Sequence, residues 1–187
     1  MTGMERDKKQ LLSLLKRDAF NLKQVKLSSG KDSGYYIDAK QATLSSEGAY
    51  LTAKIFLGML KNEKFDAIGG LTLGADPILG AIAAVGYLEN KPVQTFIVRK
   101  EPKKHGMQRS IEGKSLKPGS RVIIIDDVMT SGSSALRAIE EAEKAKCKVV
   151  KVFALVDRLE GARENLSQYE LVSIFTIKDF INNAPKT

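Results

Sequence analysis

Asp126 and Asp127 stand side by side at the end of the apolar run Val122-Ile123-Ile124-Ile125, and Val128-Met129-Thr130-Ser131-Gly132-Ser133-Ser134 follows them. Four β-branched residues in a row suit a strand buried on both faces. Beyond the loop, Ala135 to Ala142 repeats apolar residues at helical spacing. Strand, small-residue loop and helix in that order make an anion site. The N–H groups at a helix N-terminus are unpaired, and the macrodipole favours negative charge there. Small residues let a phosphate approach the backbone, and Ser and Thr hydroxyls add donors. Two carboxylates beside such a cradle would repel the phosphate itself. They suit hydroxyls attached to it, such as those of a ribose, and a 5-phosphoribosyl group has that shape. A Ser-capped helix beside two solvated acids is the plainer reading, but it leaves the coincidence of acid pair and loop without a reason.

The elements that must position this stretch alternate in type along the chain. Glu5 to Phe20 reads as a helix with Leu11, Leu12, Leu14, Leu15 and Ala19 on one face. Val25 to Asp38 reads as a hairpin whose turn is marked by Ser, Gly and Asp. Ser45 or Ser46 caps a helix through Tyr50, Ile55, Phe56 and Met59. Asp66 to Leu71 is a short strand, Thr72 to Pro77 a loop, and a helix runs on to about Leu88 with Pro77 in its first turn. Val93 to Arg99 is a strand, and the polar run from Lys100 to Gly113 is a loop and its return arm. After the central motif come a strand over Lys148 to Val156, a strand over Leu171 to Phe175 and a helix over Lys178 to Asn183. This alternation predicts an α/β fold, a mostly parallel sheet with helices on both faces. The loops singled out all follow strand ends, where open α/β sheets bind ligands.

At 187 residues, residues 1–187 read as a single domain that buries a substantial core. No apolar run reaches the length of a membrane span, and the polar stretch from Met1 to Lys9 is no secretory signal. One cysteine, Cys147, excludes an internal disulfide and suits a reducing, cytoplasmic compartment. The net charge of +8 is spread along the chain, and no aromatic residues interleave with its densest cluster at Arg99 to His105. That argues against a nucleic-acid surface and for a small polyanionic substrate. His105 is the only histidine, so no histidine pair is available to a metal cage or a hydrolase triad. Gly113-Lys114-Ser115 imitates the end of a Walker A loop, but Gln108 and Arg109 occupy the region of its first glycine and no helix follows. Arg158, at a strand's C-terminal end, suits a planar carboxylate that it can grip bidentately.

The segment from Val122 to Ser134 resembles the phosphoribosyl pyrophosphate (PRPP) signature of the type I phosphoribosyltransferases. Three further segments resemble the orotate phosphoribosyltransferases among them. Ser29 to Asp38 is similar to the N-terminal hood that covers the pyrimidine, Arg99 to Gly106 to the mobile catalytic loop, and Asp157-Arg158-Leu159-Glu160-Gly161 to the orotate-carboxylate site. The resemblance implies the type I phosphoribosyltransferase fold, with a small hood over about residues 1–45 and a core over about 46–187. It implies transfer of the 5-phosphoribosyl group from PRPP to orotate, giving orotidine 5′-monophosphate and pyrophosphate in de novo pyrimidine synthesis. It implies catalytic roles for Lys103, His105, Asp126 and Asp127. PRPP would be bound by Arg99, Lys100, Lys103, His105, Asp126, Asp127, Val128, Met129, Thr130, Ser131, Gly132, Ser133 and Ser134, and orotate by Thr130, Arg158, Tyr35 and Tyr36. Mg²⁺ is implied as cofactor, held mainly through PRPP and not by protein ligands. The implied assembly is a homodimer whose catalytic loop acts in trans, with neither nucleic acid nor membrane as partner. Two positions depart from many family members: Leu73 and Ser28 stand where lysines are found, although Lys26 is near the second. A purine phosphoribosyltransferase and a PRPP-sensing nucleic-acid regulator on the same fold are the rivals. Neither accounts for the Lys-x-His-Gly run and Arg158 together.

Overall fold

A computed structural model describes residues 2–22, 25–26, 32–101 and 110–181. The chain opens with α1 (Gly3–Asp18), which starts two residues earlier than expected because Thr2 and Glu5 close a capping box. Four two-residue strands follow: β1 (Phe20–Asn21), β2 (Val25–Lys26), β3 (Asp32–Ser33) and β4 (Tyr36–Ile37). β2 and β3 form the expected antiparallel hairpin, but β4 pairs back onto β1. The chain continues through α2 (Lys40–Thr43), α3 (Ser46–Met59), β5 (Ala67–Leu71), α4 (Asp76–Leu88), β6 (Gln94–Val98) and β7 (Ile111–Gly113). It ends with β8 (Arg121–Met129), α5 (Ser133–Lys144), β9 (Lys148–Asp157), α6 (Ala162–Asn165), β10 (Leu171–Thr176) and α7 (Ile177–Ile181).

Six strands form one sheet in the order β10-β9-β8-β5-β6-β7, parallel except for β7, which runs antiparallel to β6. Both faces are covered, which explains the unbroken apolar run at Val122 to Ile125. Ile123 and Ile125 join the cluster built with α1, α3, α4 and α7, whereas Val122 and Ile124 join a second cluster with α5. Phe153 and Leu155 of β9 side with the first and Val152 and Ala154 with the second, the period-two alternation of a strand between two layers.

Strand succession runs outward in both directions from the β5–β8 pair: β6 and β7 to one side, β9 and β10 to the other. Right-handed crossovers running in opposite directions place their helices on opposite faces, as α4 and α5 are here. The β5–β8 junction is therefore the topological switch point, where the first loops after the strands splay apart and leave a crevice. β8 also runs past the acid pair to Met129, further than its apolar run implies, because β9 continues to pair with it as far as Asp157.

Phe56 of α3 and Phe153 of β9 meet edge to face, 5.8 Å between centroids, both shielded from solvent. Phe153→Ala should cost about 3–5 kcal/mol, read as a lowered urea midpoint with an unchanged slope.

Candidate functional site

β5 keeps register with β8 only through Gly69 opposite Ile124. Beyond that point the strands part, and the next residues of β8 bring Asp126 and Asp127 to the crevice. Both are buried, at 6% and 9% exposure. The Asp127 N–H donates to Asp126 Oδ1 at 3.1 Å. Burial, and then the charge of Asp127, push the Asp126 carboxyl well above the ordinary carboxylate range. Gly74, in the loop after β5, lies so close that a Cβ there would run into the Asp127 carboxylate. That loop has a cis peptide between Thr72 and Leu73, and Thr72 Oγ1 donates to Asp76 Oδ2 at 2.6 Å. Asp76 Oδ1 is buried with no hydrogen-bond partner among the described residues.

The loop Thr130-Ser131-Gly132 leads into α5 through Gly132 at φ 80°, a left-handed conformation in which a side chain would also press on Leu166. No side chain among the described residues caps this helix, and its first turn carries no acid. Its leading N–H groups are thus open to an anion. Asn165 Nδ2 donates to the Ser131 carbonyl at 2.9 Å, so α6 braces the loop from behind.

Arg158 follows β9 and is 4% exposed. Its N–H donates to the Met129 carbonyl at 2.9 Å, fastening the ends of β8 and β9 together. The guanidinium donates to Glu160 Oε1 from Nε at 3.0 Å and pairs with it through Nη2 at 2.9 Å. It also stacks 4.5 Å from the centre of the Tyr35 ring. The Tyr35 hydroxyl donates to the same Glu160 oxygen at 2.8 Å. Burial, then the Glu160 hydrogen bond, raise the Tyr35 phenol above its ordinary value. Tyr36 is half-exposed and sits in the β1–β4 ladder opposite Asn21. The structure thus joins Tyr35 to Arg158, as expected, and adds Glu160.

On the other side of β5, an open cleft of ≈ 480 Å³ is lined by Thr72, Asp76, Arg99, Lys100 and Glu112 among others. Arg99 pairs with Glu112 at 3.3 Å across the β6–β7 ladder. Lys103 and His105 lie outside the described residues, as does Ser28. Leu73 is 66% exposed. One basic residue that motif reading did not single out reaches the acids: Lys40 of α2 places Nζ 2.5 Å from Asp38 Oδ1 and 3.8 Å from Asp127 Oδ2.

Comparison with known proteins agrees with this geometry. The Phosphoribosyl transferase domain family matches residues 40–185. The orotate phosphoribosyltransferase of Aquifex aeolicus is 46% identical over 186 residues, covering 97% of this chain and 100% of the relative. The chain belongs to the orotate phosphoribosyltransferase family. Its activity is that of the family, transfer of the phosphoribosyl group from PRPP to orotate in pyrimidine synthesis, and neither rival reading is retained. The Mycobacterium tuberculosis orotate phosphoribosyltransferase solved with Fe(III) dicitrate superposes at TM-score 0.81 with 35% identity, covering 94% of this chain and 99% of that one. The same organism's enzyme solved with PRPP superposes at TM-score 0.76 with 28% identity over 96% of this chain and 93% of that one.

Because Asp126 is held above its ordinary pKa, its contribution to stability is greatest at low pH and is lost as pH rises through the folded value. Asp126→Asn should therefore raise the melting temperature at neutral pH, by roughly 2–4 °C for each kcal/mol relieved. The difference should shrink at acid pH, where both forms are neutral. PRPP turnover should fall at the same time, and a pH series of melts beside steady-state assays reads both.

Proposed function

We propose that PRPP lies across the β5–β8 crevice. Its 5′-phosphate rests on Thr130 to Ser134 at the α5 N-terminus, and its ribose hydroxyls donate to Asp126 and Asp127. The pyrophosphate faces Arg99 and Lys100, with Lys103 and His105 of the intervening loop. Orotate occupies the space between Thr130, Tyr35, Tyr36 and Arg158, its carboxylate on the guanidinium. The observation that carries this reading is a buried acid pair beside an uncapped helix N-terminus at the switch point.

In the reaction the ribose C1–O bond to pyrophosphate breaks and a bond from the orotate ring nitrogen to C1 forms. Positive charge grows on the ribose and negative charge on the departing group. Preorganised charges answer both: carboxylates beside the ribose and cations beside the pyrophosphate. No covalent nucleophile is required. Among the described residues no three His, Cys, Asp or Glu side chains form a metal cage. The oxygens of Asp126 and Asp127, with the unpartnered Asp76 Oδ1, are hard donors of the kind Mg²⁺ takes one or two of alongside substrate phosphates. The donor set therefore fits a Mg²⁺ carried in mainly by PRPP, which when bound neutralises charge on the pyrophosphate.

The active form in this proposal is a cytoplasmic homodimer. Asp76 is the one charged residue of α4, and Gly80, Ala84, Tyr87 and Leu88 lie exposed along it. A helix apolar all round calls for cover on every side, and a second copy supplies it. Among the described residues no helix is long and apolar enough to cross a membrane.

Arg158→Ala should raise the orotate KM by the equivalent of roughly 2–5 kcal/mol, the loss of a charged hydrogen-bonded pair, and spare the KM of PRPP. Equal effects on both substrates in steady-state assays would remove Arg158 from the orotate site.

A loop acting in trans is tested by mixing Lys103→Ala with Asp127→Asn, each nearly inactive alone, under proven subunit exchange. Each hybrid dimer then has one site with both lesions and one with neither. Half the dimers are hybrids, so roughly a quarter of all sites should recover activity in a two-fold pairing. A loop acting in cis leaves every site with one lesion, and nothing recovers.

A further inference from the structure

Asp38 is one of the better-anchored side chains near the crevice. Its N–H donates to the Ala19 carbonyl at 2.9 Å, next to the C-terminus of α1. Its Oδ1 accepts from the Lys40 N–H at 3.3 Å and pairs with the Lys40 ammonium, and its Oδ2 accepts from Gln41 Nε2 at 3.3 Å. Asp38 thus starts α2 and seats the lysine two residues on. From that seat the ammonium stands 3.8 Å from Asp127 Oδ2. This separation is too long for a hydrogen bond, so it leaves the carboxylate lone pairs for a ligand. It is short enough for the charge to act on Asp127, whose surroundings otherwise disfavour ionisation: burial, and the adjacent carboxyl of Asp126.

We propose that Lys40 is a positioning residue of the phosphoribosyl site: seated on Asp38, its ammonium keeps Asp127 ionised and aimed at the ribose hydroxyls. The inference rests on the assignment of Asp126 and Asp127 to those hydroxyls. The charged and titratable groups facing the lysine come from three elements: Asp38 ahead of α2, Tyr36 on β4, and the acid pair on β8. Burial pulls the lysine pKa down, but Asp38, Asp127 and Tyr36 together hold it above its ordinary value. It is therefore a cation at every pH where the enzyme works, and its field also favours ionisation of Asp126. Without it, two carboxylates would have to ionise beside each other, buried, before a polyanionic substrate arrives.

The test is kcat/KM for PRPP against pH in the wild type, Lys40→Met, Lys40→Arg, Asp38→Asn, Asp127→Asn and the Lys40→Met/Asp127→Asn double variant. Removing a cation raises the pKa of a carboxylate, so the acid limb in Lys40→Met should move to higher pH. A move of about one unit is the low end for an opposite charge 4–6 Å away, and on that limb turnover falls about tenfold per unit. The KM for orotate should change little. Lys40→Arg should keep the limb in place. Asp38→Asn, which keeps the lysine but loosens its seat, should move it in the same direction by less. The double variant should be no worse than Asp127→Asn, since the lysine acts through that carboxylate. An acid limb unmoved in both Lys40→Met and Asp38→Asn overturns the proposal, as does a loss in the double variant equal to the product of the single losses. Unchanged PRPP kinetics in Asp127→Asn would instead overturn the ribose assignment.

Discussion

The acid pair at Asp126 and Asp127 is the constraint to which the rest of the molecule answers. Two adjacent carboxyls in a buried place resist ionising together, because burial disfavours each charge and each charge disfavours the other. A fold selected for stability alone would place apolar residues there, continuing the run from Val122 to Ile125. Here the chain instead ends the β5–β8 pairing at Gly69 and Ile124 and opens a crevice beside the acids. Gly74, without a side chain, lets the neighbouring loop approach Asp127, and Lys40 supplies a nearby positive charge. The open N–H groups of α5 lie on the far side of the same short stretch of chain. A ligand with donors for the carboxylates and an anion for the helix resolves both mismatches at once, and a phosphoribosyl group carries both.

The same logic governs the Arg158 corner. A buried guanidinium requires partners, and the protein supplies Glu160 and the Tyr35 ring. Tyr35 lies just ahead of β4, at the N-terminal end of the chain, whereas Glu160 follows β9. Their hydrogen bond therefore ties the small N-terminal strands to the core across 125 residues of sequence. Orotate brings a carboxylate to a place where a protein carboxylate already sits against the arginine. Substrate binding in that corner is thus an adjustment among charged partners, not the filling of an empty hole.

Much of this was legible from the residues. The run Val122 to Ile125 has one reading as a covered parallel strand, and the alternation of element types determines the sheet around it. The acid pair, the hydroxyl loop and Arg158 announce themselves because their residue types are costly to bury without a purpose. What stayed hidden was short or distant. α2 has four residues and α6 four, too few for any periodicity to register. Lys40 therefore read as one more surface lysine in a basic chain, although the fold carries it 87 positions along the sequence to Asp127. Glu160 lay inside a recognised run, but its engagement by Tyr35 depends on tertiary packing alone. The length of β8 was underestimated because pairing with β9, not side-chain character, carries the strand past its apolar residues.

The central claim, that the acid pair receives the ribose hydroxyls, is tested most directly by removing a hydroxyl from the ligand and a charge from the protein in turn. PRPP and its 2-deoxy analogue would be titrated by calorimetry into the wild type and into Asp127→Asn. The account expects the wild type to prefer PRPP clearly and the variant to lose most of that preference, because the missing hydroxyl and the missing charge belong to one interaction. An equal preference for PRPP in both proteins would place the hydroxyls elsewhere and contradict the account.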